Sequence, residues 1–196
     1  PMNRLLQGDV GSGKTVVGAA CVWLMAQNGY QSALMAPTEI LAQQHAQTLQ
    51  TLLAPSGIRV GLLTGSLRAA EKRKIYDAMA AGAVDLVVGT HALLTDGVTF
   101  ANLGLVITDE QHRFGVNQRA ALAQKGGAVR PHMLVMSATP IPRTLALLLY
   151  GDLEVSIIDE RPPGRQNVDT FLVGEALRQR MYGFVRKQVQ EGHQVY

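Results

Sequence analysis

A single cysteine, Cys21, leaves this chain of 196 residues without the means to form an internal disulfide. That excludes the small cross-linked scaffolds of secreted proteins and suits a reducing compartment, with Cys21 read as a small buried hydrophobe. Aromatic residues are also few, at 5%, with one Trp and four Phe against 20 Gly. This balance suits short alternating strand–helix units better than a β-sandwich. No apolar run reaches the length of a bilayer span, and no secretory leader pattern opens the chain. The reading is a cytoplasmic protein with no membrane partner. A dense Lys/Arg block is missing too: 18 basic residues against 15 acidic ones leave a net charge of only +3, which permits a nucleic-acid partner without demanding one. What the chain does have is apolar mass. At 47% hydrophobic residues it can bury the core of one complete domain with a remnant to spare.

The densest information lies near the start. Gly8, Asp9, Val10, Gly11, Ser12, Gly13, Lys14 and Thr15 spell G-x-x-x-x-G-K-T, directly after Arg4-Leu5-Leu6-Gln7, which can form a short buried strand. In this pattern the glycines let successive backbone N–H groups face a nucleotide's phosphates, Lys14 reaches the β/γ oxygens, and the Thr15 hydroxyl is placed to ligate Mg²⁺. The apolar run Val16–Met25 supplies a helix whose positive end faces the anion. ATP and Mg²⁺ are the expected ligands.

Further strands are predicted at Ser32–Ala36, Val60–Leu63, Val84–Val88, Leu105–Thr108 and Met133–Met136. Their near-continuous apolar character points to burial on both faces, as in a parallel sheet. Helices are predicted over Thr38–Leu53, with Leu41, His45, Leu49 and Leu52 on one stripe, and over Arg68–Ala81, with a basic Lys72-Arg73-Lys74 edge. The alternation gives a doubly wound α/β domain, whose ligands gather at the carboxyl ends of the strands. A Pro/Gly/charge cluster at Asp159–Arg165 reads as a linker. After it, Val168–Val173 alternates like a strand, Glu175–Glu191 carries a helical apolar stripe, and Val195-Tyr196 would begin another strand. The expected organisation is therefore a first lobe over 1–158, a linker over 159–167, and the opening of a second lobe over 168–196.

Asp109 and Glu110 follow the buried strand Leu105–Thr108. In a phosphate-cradle enzyme that position holds an acid that captures Mg²⁺ and a neighbour that orients the attacking water. Asp109 is assigned to the metal and Glu110 to the nucleophile. Ser137-Ala138-Thr139, at another strand end, offers two hydroxyls near the same rim. His112 could bond to either and carry the γ-phosphate state outward, or the hydroxyls could simply cap a strand-to-loop turn.

These segments, with Ala36-Pro37-Thr38-Glu39, Thr64-Gly65 and Gly89-Thr90-His91, resemble the ordered motifs of superfamily-two helicases. Asp109–Gly115, Ala138–Leu145 and Ile158–Arg165 are similar in detail to the RecG family of bacterial branch-migration helicases. The resemblance implies a RecA-like P-loop NTPase lobe, monomeric, that drives ATP-dependent translocation on branched double-stranded DNA in fork reversal, recombination and repair. It further implies that Pro37, Thr38, Glu39, Thr64, Gly65, Thr90 and His91 lie along the DNA, and that Gln111, His112, Ser137, Thr139 and Arg143 couple hydrolysis to movement. On the residues themselves, Thr38 also suits the N-cap of the following helix, and an isolated Arg such as Arg143 is more often a surface charge.

Two positions depart mildly from that family's pattern: Thr108 stands where an aliphatic residue is usual, and Ser137 where a Thr is common. The family's wedge domain, its glutamine-type adenine clamp and most of a second lobe with its arginine finger have no counterpart in the chain. Opening on Pro1 and closing on Gln194-Val195-Tyr196, the chain reads as cut from a longer protein and is expected to be nearly inactive alone. Two other readings stay open. One is a transcription-repair coupling translocase, which usually has a second Glu where this chain has Gln111. The other is a nucleotide-binding module without turnover.

Overall fold

The computed structural model describes residues 1–109, 121–122, 124–126, 130–138, 153–160 and 168–196. They fall into two compact units, Pro1–Pro162 and Pro163–Tyr196.

Seven strands form one sheet in the first unit: β1 Asn3–Gly8, β2 Gln31–Met35, β3 Val60–Leu63, β4 Leu86–Gly89, β5 Leu103–Thr108, β6 His132–Ser137 and β7 Glu154–Ile158. They lie in the order β3-β4-β2-β5-β6-β1-β7, and every pairing is parallel. Helices α1 (Lys14–Gln27), α2 (Glu39–Leu53) and α3 (Ala69–Ala80) make the crossovers. This is the expected RecA-like α/β sheet, with strand ends shifted from the predicted ones by only one or two residues.

Alternate strand residues serve opposite faces. Leu6, Leu34, Val88, Ile107, Leu134 and Met136 pack with Ala19 and Val22 of α1 and Ala42, Ala46 and Leu49 of α2. Met35, Leu63, Val87 and Val106 pack on the other side with Met79 and Leu93. Burial on both faces explains why the strands read as runs and not as alternations.

Three details differ from expectation. The buried stripe of α2 is Ala42, Ala46, Leu49 and Leu53; Leu52 is exposed, and His45 flanks the stripe. Cys21 is half-buried instead of enclosed, and burial pushes its thiol pKa above the ordinary range. The edge strand β7, absent from the predicted set, pairs with β1 and is tied to it by Arg4, which donates to Ser156 Oγ at 2.7 Å and pairs with Glu154.

The entrance to β4 is held by Arg59, whose guanidinium donates to both oxygens of Asp85 at 2.9 and 2.7 Å and to the Gly82 carbonyl. Hydrogen bonding from Arg59 holds the Asp85 carboxyl below its ordinary range. A carboxylate with a lowered folded pKa stabilises the fold above its unfolded value, near pH 4, and that contribution is lost as the pH falls through the folded value. Asp85→Asn should therefore be less stable than the parent at pH 7 by about 1 kcal/mol, a modest figure because Arg59 is largely solvated. Denaturant titrations should show the gap closing below about pH 4. A gap that persists unchanged in acid would rule the ion pair out as its source.

In the second unit, Val168–Val173 is irregular and largely exposed, not a strand. An extended segment without a partner leaves its backbone groups to water and gains nothing from pairing. Val195-Tyr196 forms no strand either. A short 3₁₀ turn at Glu175–Leu177 leads into helix α4, Arg178–Gln190, where Arg178 lies over the Tyr182 ring at 5.9 Å.

Candidate functional site

After β1 the chain turns through Asp9–Ser12, with the Ser12 amide donating to the Asp9 carbonyl at 3.1 Å. Gly11 and Gly13 have φ of 81° and 94°, left-handed conformations that L side chains resist. Left-handed glycines in such a loop let consecutive N–H groups turn to one side of it. Helix α1 then starts with no side-chain cap and no acid in its first turn, whereas α2 and α3 carry Glu39 and Glu71 there. A helix end of that kind can accept an anion. Lys14 Nζ lies over the loop, donating to the carbonyls of Gly8 at 2.6 Å and Asp9 at 2.8 Å. The buried Ser12 hydroxyl has no hydrogen-bond partner among the described residues.

The acid side is built on β5. Asp109 follows its last residue, and its amide donates to the Met35 carbonyl at 3.1 Å. Its Oδ2 lies 2.6 Å from His45 Nε2 of α2, with the two side chains 16% and 15% exposed. An ionised carboxylate only accepts, so Nε2 is the donor. Thr108 Oγ1 beside it is buried and unpartnered among the described residues.

Sheet order joins these two sides. β6 alone separates β1 from β5, with Gln7 opposite Ser137 and Thr108 opposite Val135. All three strands point the same way, so the ends of β1 and β5, which lead to Lys14 and Asp109, lie at one rim, two strand spacings or about 10 Å apart. Ser137 stands between them. Glu110, Gln111, His112, Thr139 and Arg143 lie outside the described residues.

The adjacent half of the rim carries the other predicted set. Pro37-Thr38-Glu39 follows β2, Thr64-Gly65 follows β3 and Thr90-His91 follows β4, three neighbouring strands. Thr38 Oγ1 accepts from the Leu41 amide at 3.3 Å, the N-cap the sequence suggested. Glu39 Oε1 accepts from the Ser66 amide at 3.0 Å. Hydrogen bonds from the Ser66 side chain and from the Ser66 and Gly65 amides, with Lys72 nearby, keep the Glu39 carboxyl below its ordinary range. Lys72 Nζ donates to the Gly65 carbonyl at 2.6 Å. Glu39 therefore clamps the loop after β3. Thr90 is buried with its hydroxyl unpartnered among the described residues, and His91 is exposed.

Sequence reasoning passed over His45, Ser66 and Lys72 as site residues. A polar His beside an otherwise aliphatic stripe was the one usable signal for His45. Nothing local distinguishes Ser66, because its partner Glu39 comes from another loop, and the basic edge that holds Lys72 gave no sign that this one lysine reaches back to the Gly65 carbonyl.

Residues 2–148 match the family described as DEAD/DEAH box helicase. The chain belongs to that family. Within it, similarity to the RecG proteins extends over the whole chain. The ATP-dependent DNA helicase RecG of Synechocystis sp. is 57% identical over all of this chain and 23% of its own length. Those of Aquifex aeolicus and Bacillus subtilis are 54% and 51% identical, with 25% and 28% of their lengths covered. The chain spans about a quarter of the length of the relatives it matches. A structure of RecG bound to a three-way DNA junction is similar with a TM-score of 0.83 at 48% identity, covering 98% of this chain and 25% of that one. The helicase MrfA shares the fold, with a TM-score of 0.70 at 18% identity.

Among the described residues no helix is long and apolar enough to cross a membrane, and no group of three His, Cys, Asp or Glu side chains could hold a metal ion.

Proposed function

We propose that the chain is the first motor lobe of an ATP-driven helicase that moves branched double-stranded DNA, with the second unit as the opening of the second lobe. One observation carries this reading. The cradle strand β1, the hydroxyl-bearing strand β6 and the acid-bearing strand β5 are consecutive and parallel, so cradle and acid share one rim.

The residues present fit ATP and Mg²⁺. Left-handed glycines, an uncapped helix end and a lysine form an anion cradle. Mg²⁺ is usually held by one or two protein oxygens together with phosphates and water. Thr15 and Asp109 would hold it, and Gly8, Asp9, Val10, Gly11, Ser12 and Gly13 would wrap the phosphates. Bound there, the ion would neutralise charge that develops on the phosphate oxygens. Lys14 would exchange its two carbonyl partners for the β/γ oxygens and stabilise the same charge. Glu110, next in sequence to Asp109, would take the proton of the attacking water. Gln111, His112, Ser137, Thr139 and Arg143 would relay the phosphate state. Thr38, Gly65 and His91 would meet the DNA backbone through side-chain or amide donors, contacts that position without reading sequence, while Pro37 and the buried Thr64 and Thr90 would shape the loops that present them. Glu39 would hold the Gly65 loop in place for them.

The test is ATP hydrolysis by the complete gene product with a three-way junction or a linear duplex of matched composition. Stronger stimulation by the junction is expected. Equal stimulation by both would sink the branched-DNA assignment, and nucleotide binding without turnover on any DNA would favour a switch module instead.

A further inference from the structure

The Asp109–His45 contact has no place in the roles assigned so far. Asp109 leaves β5 at the nucleotide half of the rim. His45 belongs to α2, the helix that begins at Thr38 and Glu39 in the other half. The 2.6 Å bond between Nε2 and Oδ2 lies between two largely buried side chains. It joins residues 64 positions apart in sequence, so it is not incidental to local chain geometry.

Its chemistry is specific. The bond engages one carboxylate oxygen and leaves Oδ1 for an ion or its water shell. A carboxylate on the first residue after a strand has free rotation about χ1 and χ2, and a fixed hydrogen bond removes much of that freedom. The backbone adds a second constraint, because the Asp109 amide is bonded to the Met35 carbonyl, the last residue of β2. The segment from Met35 through Thr38 to His45 therefore grips Asp109 at both its backbone and its side chain. Thr38 and His45 lie seven residues apart, about 10 Å along a helix, and Glu39 at the same helix start clamps the loop after β3.

We propose that His45 is a positioning residue for Asp109, and that through it α2 mechanically links the DNA-facing loops to the metal-side acid. This rests on the ATP·Mg²⁺ reading above. The link needs only a rigid helix and one buried hydrogen bond. Movement of the helix start by bound DNA would re-aim the free carboxylate oxygen.

Binding of a fluorescent ATP analogue to the complete gene product, titrated with Mg²⁺, tests the idea without relying on turnover. In the parent the analogue should bind in a Mg²⁺-dependent way, and a three-way DNA junction should lower the Mg²⁺ midpoint. His45→Ala should raise that midpoint about tenfold, the usual scale for losing a partner that orients a metal ligand, and abolish the junction's effect. His45→Gln, which keeps a donor nitrogen at similar reach, should restore both. A parent with no Mg²⁺-dependent binding would remove the nucleotide reading itself. A normal parent with an unchanged midpoint in His45→Ala would overturn the positioning role alone. Equal defects in the Ala and Gln variants would also overturn it, because the hydrogen bond would not be the agent, and a junction effect that survives in His45→Ala would break the link to α2.

Discussion

Lys14→Ala and Glu110→Gln should separate binding from turnover. Lys14→Ala is expected to weaken binding of the ATP analogue about a hundredfold. Charge-assisted hydrogen bonds contribute roughly 1.5–3 kcal/mol each, and Lys14 would make two to the phosphates. It must first release the carbonyls of Gly8 and Asp9, at 2.6 and 2.8 Å, so part of the gain is offset. A net loss of about 2.7 kcal/mol corresponds to that hundredfold change. The fold should survive, because the loop carbonyls left behind can turn to water. Glu110→Gln keeps the size and hydrogen-bonding reach of the side chain while removing its basicity. It should leave affinity near the parent value and lower hydrolysis by about 10²–10⁴, the range for loss of a general base. Equilibrium titration and single-turnover hydrolysis on the same preparations read the two effects. Affinity within twofold of the parent in Lys14→Ala would remove the cradle from the mechanism. Hydrolysis at the parent rate in Glu110→Gln would transfer the base role elsewhere.

Gly89→Ala should cost about 3 kcal/mol of stability, at the upper end of what overpacking usually does. A Cβ on Gly89 would fall 2.4 Å from the Leu63 carbonyl oxygen and 3.0 Å from Leu93 Cγ. The first of these is backbone of the neighbouring strand, paired in register with Gly89, so no rotamer change relieves it. The Gly89 carbonyl also accepts from the Ala36 amide at 2.8 Å, which pins it from the β2 side. The pressure would fall on Thr64 and Thr90, the residues that follow the two strands. Gly61→Ala is the control. Its new Cβ meets side-chain methyls first, Val84 Cγ1 at 3.2 Å and Ile75 Cδ1 at 3.7 Å, with no backbone atom as near, so a smaller change, about 1 kcal/mol, is expected. Urea denaturation of the three proteins measures the difference. Equal midpoints for Gly89→Ala and Gly61→Ala would mean that the strand pair opens without penalty.

Much of this protein is legible along the chain. Strands buried on both faces carry their apolar residues without interruption, so six of the seven announced themselves. The glycine-rich loop declares itself because its pattern is local: its glycines, its lysine and the helix it starts are consecutive. The strand it missed, β7, mixes Glu154 and Ser156 with Val155, Ile157 and Ile158, and its polar residues make sense only beside Arg4 of β1. The expected strand at Val168–Val173 failed for the converse reason, since alternation describes a surface that suits a neighbour and supplies none.

Sequence alone determined the chemistry available at each strand end, because residue type and local backbone preference are properties of a few consecutive residues. Tertiary structure decided which ends are neighbours. The order β3-β4-β2-β5-β6-β1-β7 divides the rim into a half with the glycine-rich loop and Asp109 and a loop-clamping half, and α2 spans the two by bringing His45 to Asp109. Strand order and buried contacts between distant residues follow from how the whole sheet is covered by its helices, and no short stretch of chain encodes that.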